Sequence, residues 1–410
     1  MINKNKIALF GYGKTTKAIA ELLGGECTFF DDNTKEPKTD ELSNKIYPSG
    51  SFNPSNFELE IATPSMHPQN QLVNSAKNLI SEYDFFLSNY YPLEKKPLNI
   101  WISGTNGKTT TTQMTTHLLD SKGALSGGNI GTPLAKLNPN APIWVLESSS
   151  FTLHHTKEAK ADIYMLLPIT PDHLDWHGNS QNYTVDKLSP LKLMQEGDLA
   201  LVPKGLELPQ TNAWVVEYEN TEDLAKKFDI DTSKIKYKGA FLLDSLFALI
   251  TTKVLFDEID YDLINSFVVD AHRQEELKDR QSRVWINDSK ATNIDATIQV
   301  LELYKDKELH LILGGDDKGV NLKELFEYLK ELELTIYAIG SNTNKVINLA
   351  KEYNIKANAN YELKEALEQI NKVHTSKSVA LLAPAASSLD QFSSYAKRGD
   401  DFKNFVKSIN

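Results

Sequence analysis

Residues 100–112 read IWISGTNGKTTTT, and this stretch limits the fold more than any other. An apolar run of strand type at 99–103 enters a glycine turn at 104–107. Lys108 and Thr109 then open a stretch with helical spacing through Thr112, His117, Leu118 and Leu119. Strand, glycine turn, Lys-Thr and helix is the order of a phosphate-binding P-loop. Glycines let backbone N–H groups curl around phosphate oxygens, and the helix N-terminus adds positive potential. In such a loop Lys108 reaches the β- and γ-phosphates of a nucleoside triphosphate, and the Thr109 hydroxyl is placed to ligate Mg²⁺. The common pattern G-x-x-x-x-G-K-[ST] wants Gly at position 102. This chain has Ile102, so the turn is a variant with Gly104 inside it.

A P-loop needs a parallel sheet, and the chain supplies strand and helix patterns on both sides of it. Its 410 residues suggest two to four domains. The chain opens with a buried-strand candidate at 6–10 (KIALF), then Gly11-Tyr12-Gly13, then a helical run at 18–23. A second strand at 27–30 ends in Asp31-Asp32. This is a βαβ opening of nucleotide-binding type. The third fingerprint glycine is replaced by Thr16, so a tight turn under a Rossmann-like sheet and a phosphate site both remain open. Lys14 and Thr15 tilt the reading toward a ligand. Residues 57–62 read as a strand ending in Thr63-Pro64-Ser65, and 83–87 reads as a further strand. A linker with Lys95 and Lys96 follows at 92–97. The expected domains are 1–90, 91–269 and 270–410.

In the middle segment, the strand at 143–146 ends in Glu147, and the strand at 161–167 runs into 168–173, ending at His173. In a parallel sheet the working groups belong at the carboxyl ends of strands, where Lys108, Glu147 and His173 all fall. A carboxylate after a strand facing a P-loop is a usual magnesium ligand. The last segment repeats the plan, with strands at 283–286, 309–313, 336–339 and 379–382, each ending in a loop of small and polar residues. The expected fold class is therefore α/β. A Rossmann-like N-terminal domain precedes a central P-loop ATPase-type parallel sheet and a Rossmann-like C-terminal domain.

The formal net charge of −11 argues against nucleic acid or an anionic membrane as the main partner. A lone cysteine, Cys27, allows no intrachain disulfide and suits a reducing compartment. No stretch resembles a signal peptide or a membrane span, so the expected location is the cytoplasm.

The motifs GTNGKTT (104–110), GGNIGTP (127–133), ESSSF (147–151), DHLDWH (172–177), His272-Arg273, NDSKATN (287–293), GGDDKG (314–319) and SSLDQF (387–392) occur in that order. Together they resemble the Mur ligases, ATP-dependent amide-forming enzymes of peptidoglycan synthesis. NDSKATN and SLDQF favour the branch that adds D-glutamate to UDP-N-acetylmuramoyl-L-alanine. The resemblance covers nearly the whole chain and implies a UDP-binding domain, a central ATPase domain and a C-terminal domain. It argues against folylpolyglutamate synthase, which lacks this kind of N-terminal domain.

The resemblance also implies roles. Gly104, Thr105, Asn106, Gly107, Lys108, Thr109, Thr110, Arg273 and Asp288 would bind ATP. Thr109 and Glu147 would hold one Mg²⁺, and His173 with Lys187 a second. Lys187, in YTVDK (183–187), matches a lysine carried as a carbamate, an anionic oxygen donor that requires an unprotonated amine. Lys14, Thr15, Asp31, Thr63 and Asn129 would contact the UDP-substrate. Lys290, Thr292, Lys318, Ser388 and Tyr395 would surround D-glutamate. Lys108, His173, Lys187 and His272 would be catalytic. Asp32 and Asp244 stand where relatives carry other residues and are given no role. The chain is expected to act as a monomer.

Overall fold

The computed structural model describes residues 3–409. Three six-stranded sheets follow one another along the chain. In the first, the strands lie in the order Lys38–Thr39, Lys45–Pro48, Thr28–Asp31, Ile7–Phe10, Leu59–Ala62, Leu79–Ile80. All pair in parallel except Lys38–Thr39. The second sheet is wholly parallel. Its order is Trp214–Tyr218, Leu199–Pro203, Ile163–Leu166, Leu98–Ser103, Ile143–Glu147, Ala124–Gly128. The third runs Glu275–Lys278, Val284–Asn287, Ser378–Leu382, Glu308–Gly314, Leu334–Ile339, Lys356–Tyr361, with only the first strand antiparallel. Strands such as Ile7–Phe10, Ile143–Glu147 and Ser378–Leu382 are buried at every position. That is why they read as unbroken apolar runs rather than alternating ones.

The chain forms two compact units. One comprises the chain through Tyr237 together with Phe241–Phe267; the other comprises Lys238–Ala240 and the chain from Val268 onward. The first unit holds the first two sheets, and one continuous apolar core runs from Ile7, Leu9 and Phe29 to Trp101, Trp144 and Leu166. The second unit has apolar clusters of its own, around Ile336 and Leu311 and around Trp285, Leu367 and Phe402.

The segment expected as a strand at 83–87 is instead the helix Glu82–Leu87. Ser81 and Asp84 form a reciprocal capping box at its start, and all six helical residues are buried. An apolar run enclosed on every side carries no period to separate strand from helix, and the S-x-x-D cap was the local signal that decided it.

Candidate functional site

The P-loop strand Leu98–Ser103 lies centrally in its sheet, between Ile163–Leu166 and Ile143–Glu147. Ile102 is fully buried inside this strand and opposite Glu147, so it extends the strand where a glycine would begin the turn. The turn then depends on two glycines. A Cβ on Gly104 would lie 2.5 Å from the Leu167 Cβ, and one on Gly107 would lie 2.7 Å from Asp244 Oδ1. Both have positive φ, +143° and +83°. The helix Lys108–Leu119 begins directly after Gly107.

Lys108 folds its ammonium over the loop, donating to the carbonyls of Gly104 (2.9 Å) and Thr105 (2.6 Å). Thr109 donates its hydroxyl to Glu147 Oε2 at 2.8 Å. Asn129 donates its side-chain amide to Glu147 Oε1 at 2.6 Å and its backbone N–H to the Glu147 carbonyl at 2.8 Å. Glu147 is buried, and its two carboxylate oxygens are thus aimed by partners from the first turn of the P-loop helix and from the loop of Asn129. Thr105 anchors the turn to Thr170 and to the Tyr183 hydroxyl. Asn106 is half-buried in the loop, and Thr110 is buried at the first turn of the helix with no hydrogen-bond partner for its hydroxyl.

Lys187 is only 1% exposed, on the helix Ser180–Leu188. Its Nζ donates to the Gly104 carbonyl at 2.8 Å and the Ser103 hydroxyl at 3.3 Å, and lies 4.7 Å above the Tyr183 ring. Burial, and then the positive charge of Lys108, hold its pKa well below the usual lysine value. His173 sits at the N-cap of the helix Leu174–His177 with φ +51°, its ring 4.8 Å from Phe151 and 6.5 Å from Tyr183. Lys187 and His173 therefore meet on Tyr183.

A polar chain that the sequence does not reveal lies beside this site, with His177 and Ser150 buried and Asp186 and His154 half-buried. His177 Nδ1 lies 2.8 Å from Asp186 Oδ2, and its Nε2 lies 3.0 Å from the Ser150 hydroxyl. His154 Nδ1 takes the other side of Asp186 at 3.0 Å. The chain joins the helix of Lys187 to the segment that follows Glu147. Its members are scattered over 150–186, and nothing local in the sequence marks them as neighbours.

Lys14, Thr15 and Asn129 line one cavity of about 150 Å³, with Glu82, Tyr83 and Gly131. Lys14 reaches across to donate to the Gly131 carbonyl. Burial raises the Glu82 carboxyl to about 8. Asp31 and Thr63 brace the first glycine loop. Asp31 accepts from the Tyr12 and Asn33 amides, both at 3.0 Å, and a Cβ on Gly11 would lie 2.7 Å from Thr63 Cγ2. Asp32 turns away, accepting from Asn70.

In the second unit, three loops converge at the carboxyl edge of the sheet. The 314–319 loop is pinned to the 387–392 loop by two backbone hydrogen bonds between Asp316 and Ser387, at 3.0 and 2.9 Å. Arg398, 1% exposed and unremarked in the sequence, donates to Ser289 Oγ, the Ser289 carbonyl and the Ala386 carbonyl. Lys290 lies with its Nζ 4.2 Å above the Tyr395 ring. Thr292 follows on the same loop, its N–H donating to the Lys290 carbonyl at 2.8 Å. Lys318 sits exposed at φ +51°, and Ser388 is buried. The His272 ring is buried, 2.9 Å from Asn287 Nδ2, and a Cβ on Gly399 would clash with it at 2.2 Å. Arg273 is half-buried. Burial raises the Asp288 carboxyl to about 7, against the opposing pull of the Gln274 amide and the Arg273 charge.

Among the described residues, no group of three or more His, Cys, Asp and Glu side chains is placed to hold a metal ion. No described helix is long and apolar enough to cross a membrane.

A family model for the Mur ligase middle domain matches residues 102–239. The chain is 51% identical to the UDP-N-acetylmuramoylalanine–D-glutamate ligase of Campylobacter jejuni subsp. jejuni serotype O:23/36 (strain 81-176), over 98% of this chain and 100% of that protein. It is 43% identical to the ligase of the same name from Helicobacter pylori (strain ATCC 700392 / 26695), over 98% of this chain and 99% of the other. Among solved structures it resembles in fold the MurF ligase from Thermotoga maritima in complex with ADP. The TM-score is 0.56 at 16% identity, over 86% of this chain and 89% of that one.

Proposed function

The chain belongs to the Mur ligase family, among the UDP-N-acetylmuramoylalanine–D-glutamate ligases, and from that premise we propose which residues carry the reaction. The enzyme is an ATP-dependent amide ligase of peptidoglycan precursor synthesis. It joins D-glutamate to UDP-N-acetylmuramoyl-L-alanine, in the cytoplasm and as a monomer. The proposed domains are 1–90 for the UDP-substrate, 91–269 for ATP and 270–410 for ATP and D-glutamate.

The observation that carries the reading is the Thr109–Glu147 contact of 2.8 Å beside the P-loop, with Asn129 on the other carboxylate oxygen. A hydroxyl and a carboxylate are hard oxygen donors, a set that fits Mg²⁺, which keeps few protein ligands and takes the rest from phosphates and water. Thr109 and Glu147 would hold one such ion; His173 and Lys187 would serve a second. Bound there, magnesium supplies positive charge against the phosphates.

In the reaction a carboxylate oxygen of the L-alanine attacks the γ-phosphorus, and ADP leaves. The D-glutamate nitrogen then attacks the acyl carbon, phosphate leaves, and the amine loses a proton. Both steps gather negative charge, so fixed cations and donors do most of the work. Lys108 leaves its two carbonyl partners to meet the phosphates. Asn129 and Lys14 hold the UDP-substrate across the cavity they share. The low pKa of Lys187 keeps its amine open to carbamylation, which would turn it into an oxygen ligand. Lys318 pairs with a D-glutamate carboxylate, with Lys290, Thr292, Ser388 and Tyr395 around it. Arg273 and Asp288 face ATP. His272 is held by Asn287 in a fixed orientation and serves from there.

Phosphate release tests the reading. It is expected only when ATP, Mg²⁺, UDP-N-acetylmuramoyl-L-alanine and D-glutamate are all present. Equal turnover with L-alanine or diaminopimelate in place of D-glutamate would sink it.

A further inference from the structure

Tyr83 stands where two of the sequence motifs meet the strand that leads into the P-loop, yet no role in the reaction has been given to it. Its side chain is 1% exposed. The ring packs edge-on against Trp101 in the strand that leads into the P-loop, with centroids 4.8 Å apart. The hydroxyl donates to the Glu147 carbonyl at 3.1 Å and lies 3.1 Å from Ser148 Oγ. A Cβ on Gly128, the residue before Asn129, would lie only 2.7 Å from that hydroxyl. Glu147 is thus held at both ends. Its carbonyl takes the Tyr83 hydroxyl and the Asn129 amide, and its carboxylate takes Thr109 and the Asn129 side chain.

The helix that carries Tyr83 is itself immobilised. The fully buried Asp84 carboxylate accepts from Ser81 N and Oγ and from three successive amides, Lys157, Glu158 and Ala159. Tyr83 is a fixed post, and the adjoining Glu82 lines the cavity shared by Lys14 and Asn129.

We propose that Tyr83 is a positioning residue for the ligase reaction, its hydroxyl setting the backbone of Glu147 so that the carboxylate meets magnesium. The contact belongs to residues in one compact unit and needs no other part of the chain. The proposal rests on the reading of Glu147 as a magnesium ligand, so the test separates the two.

Full-length Tyr83→Phe keeps the ring and removes only the hydroxyl. Mn²⁺ affinity in the presence of a non-hydrolysable ATP analogue, followed by electron paramagnetic resonance, is expected to fall about 10-fold, the size of effect seen when partners of metal ligands are removed. kcat should fall similarly, with KM for D-glutamate and the melting temperature unchanged. Ser148→Ala, which leaves the Glu147 carbonyl contact in place, is expected to bind Mn²⁺ like the wild type. Glu147→Gln is the control. If it weakens Mn²⁺ binding and Tyr83→Phe does not, the positioning role is wrong while the metal reading stands. If Glu147→Gln leaves Mn²⁺ binding intact, the metal reading itself fails. Should Tyr83→Phe lower stability and raise every KM together, its role is merely structural and the proposal is overturned.

Discussion

Lys187 shows how far a single residue's character depends on what surrounds it. On its helix it reads as a solvated lysine; in the fold its amine is buried against a carbonyl, a hydroxyl and an aromatic face. Burial and the nearby Lys108 both disfavour the ammonium form. If that amine carries a carbamate, Lys187→Ala should be nearly inactive and partly rescued by acetate, and Lys187→Arg should be inactive in either case. ¹³C-labelled bicarbonate should give a carbamate resonance in the wild type that Lys187→Ala lacks. An active Lys187→Arg, together with no such resonance in the wild type, would return Lys187 to the role of a simple cation.

At the scale of elements, the third sheet carries a pH dependence of its own. His374 caps the helix Leu363–Val373 and is buried, its Nε2–H donating to the Val284 carbonyl at 3.0 Å and its Nδ1 facing Ser378 Oγ at 2.7 Å. Burial, with the charges of His310 and Arg283 adding to it, lowers its pKa from 6.5 to about 4. The folded state therefore binds a proton less readily than the unfolded one. The contribution is complete above pH 6.5 and is lost as pH falls toward 4, by at most about 3 kcal/mol. Thermal melts at pH 7.5 and 5 should differ, and His374→Gln should narrow the difference. An unchanged gap would assign the acid sensitivity to another group.

For the whole molecule, the division into two units makes a separable prediction. The chain from Val268 onward has its own six-stranded sheet with apolar clusters on both faces. Expressed alone, residues 268–410 should fold and melt cooperatively, as a domain with a complete core does. A fragment that stays unfolded by circular dichroism would mean that this core is insufficient by itself.

Most of the parallel strands could be read from the sequence because they are buried on both faces, and their apolar runs end in glycine and polar loops. The P-loop strand and the strand that ends in Glu147 were legible for the same reason, since position along a strand predicts which edge of the sheet a loop occupies, whereas His173 lies beyond the strand Ile163–Leu166 and caps a helix. The segment 83–87 was misread because complete enclosure makes a helix and a strand look alike. Only the tertiary structure decided that Asn129 and Thr109 grip the same carboxylate, that Tyr83 abuts Glu147, and that Asp186 lies between two histidines. Those contacts join residues from 9 to 64 positions apart. The reason is physical: local sequence sets periodicity and caps, whereas the packing of helices on sheets sets which loops meet.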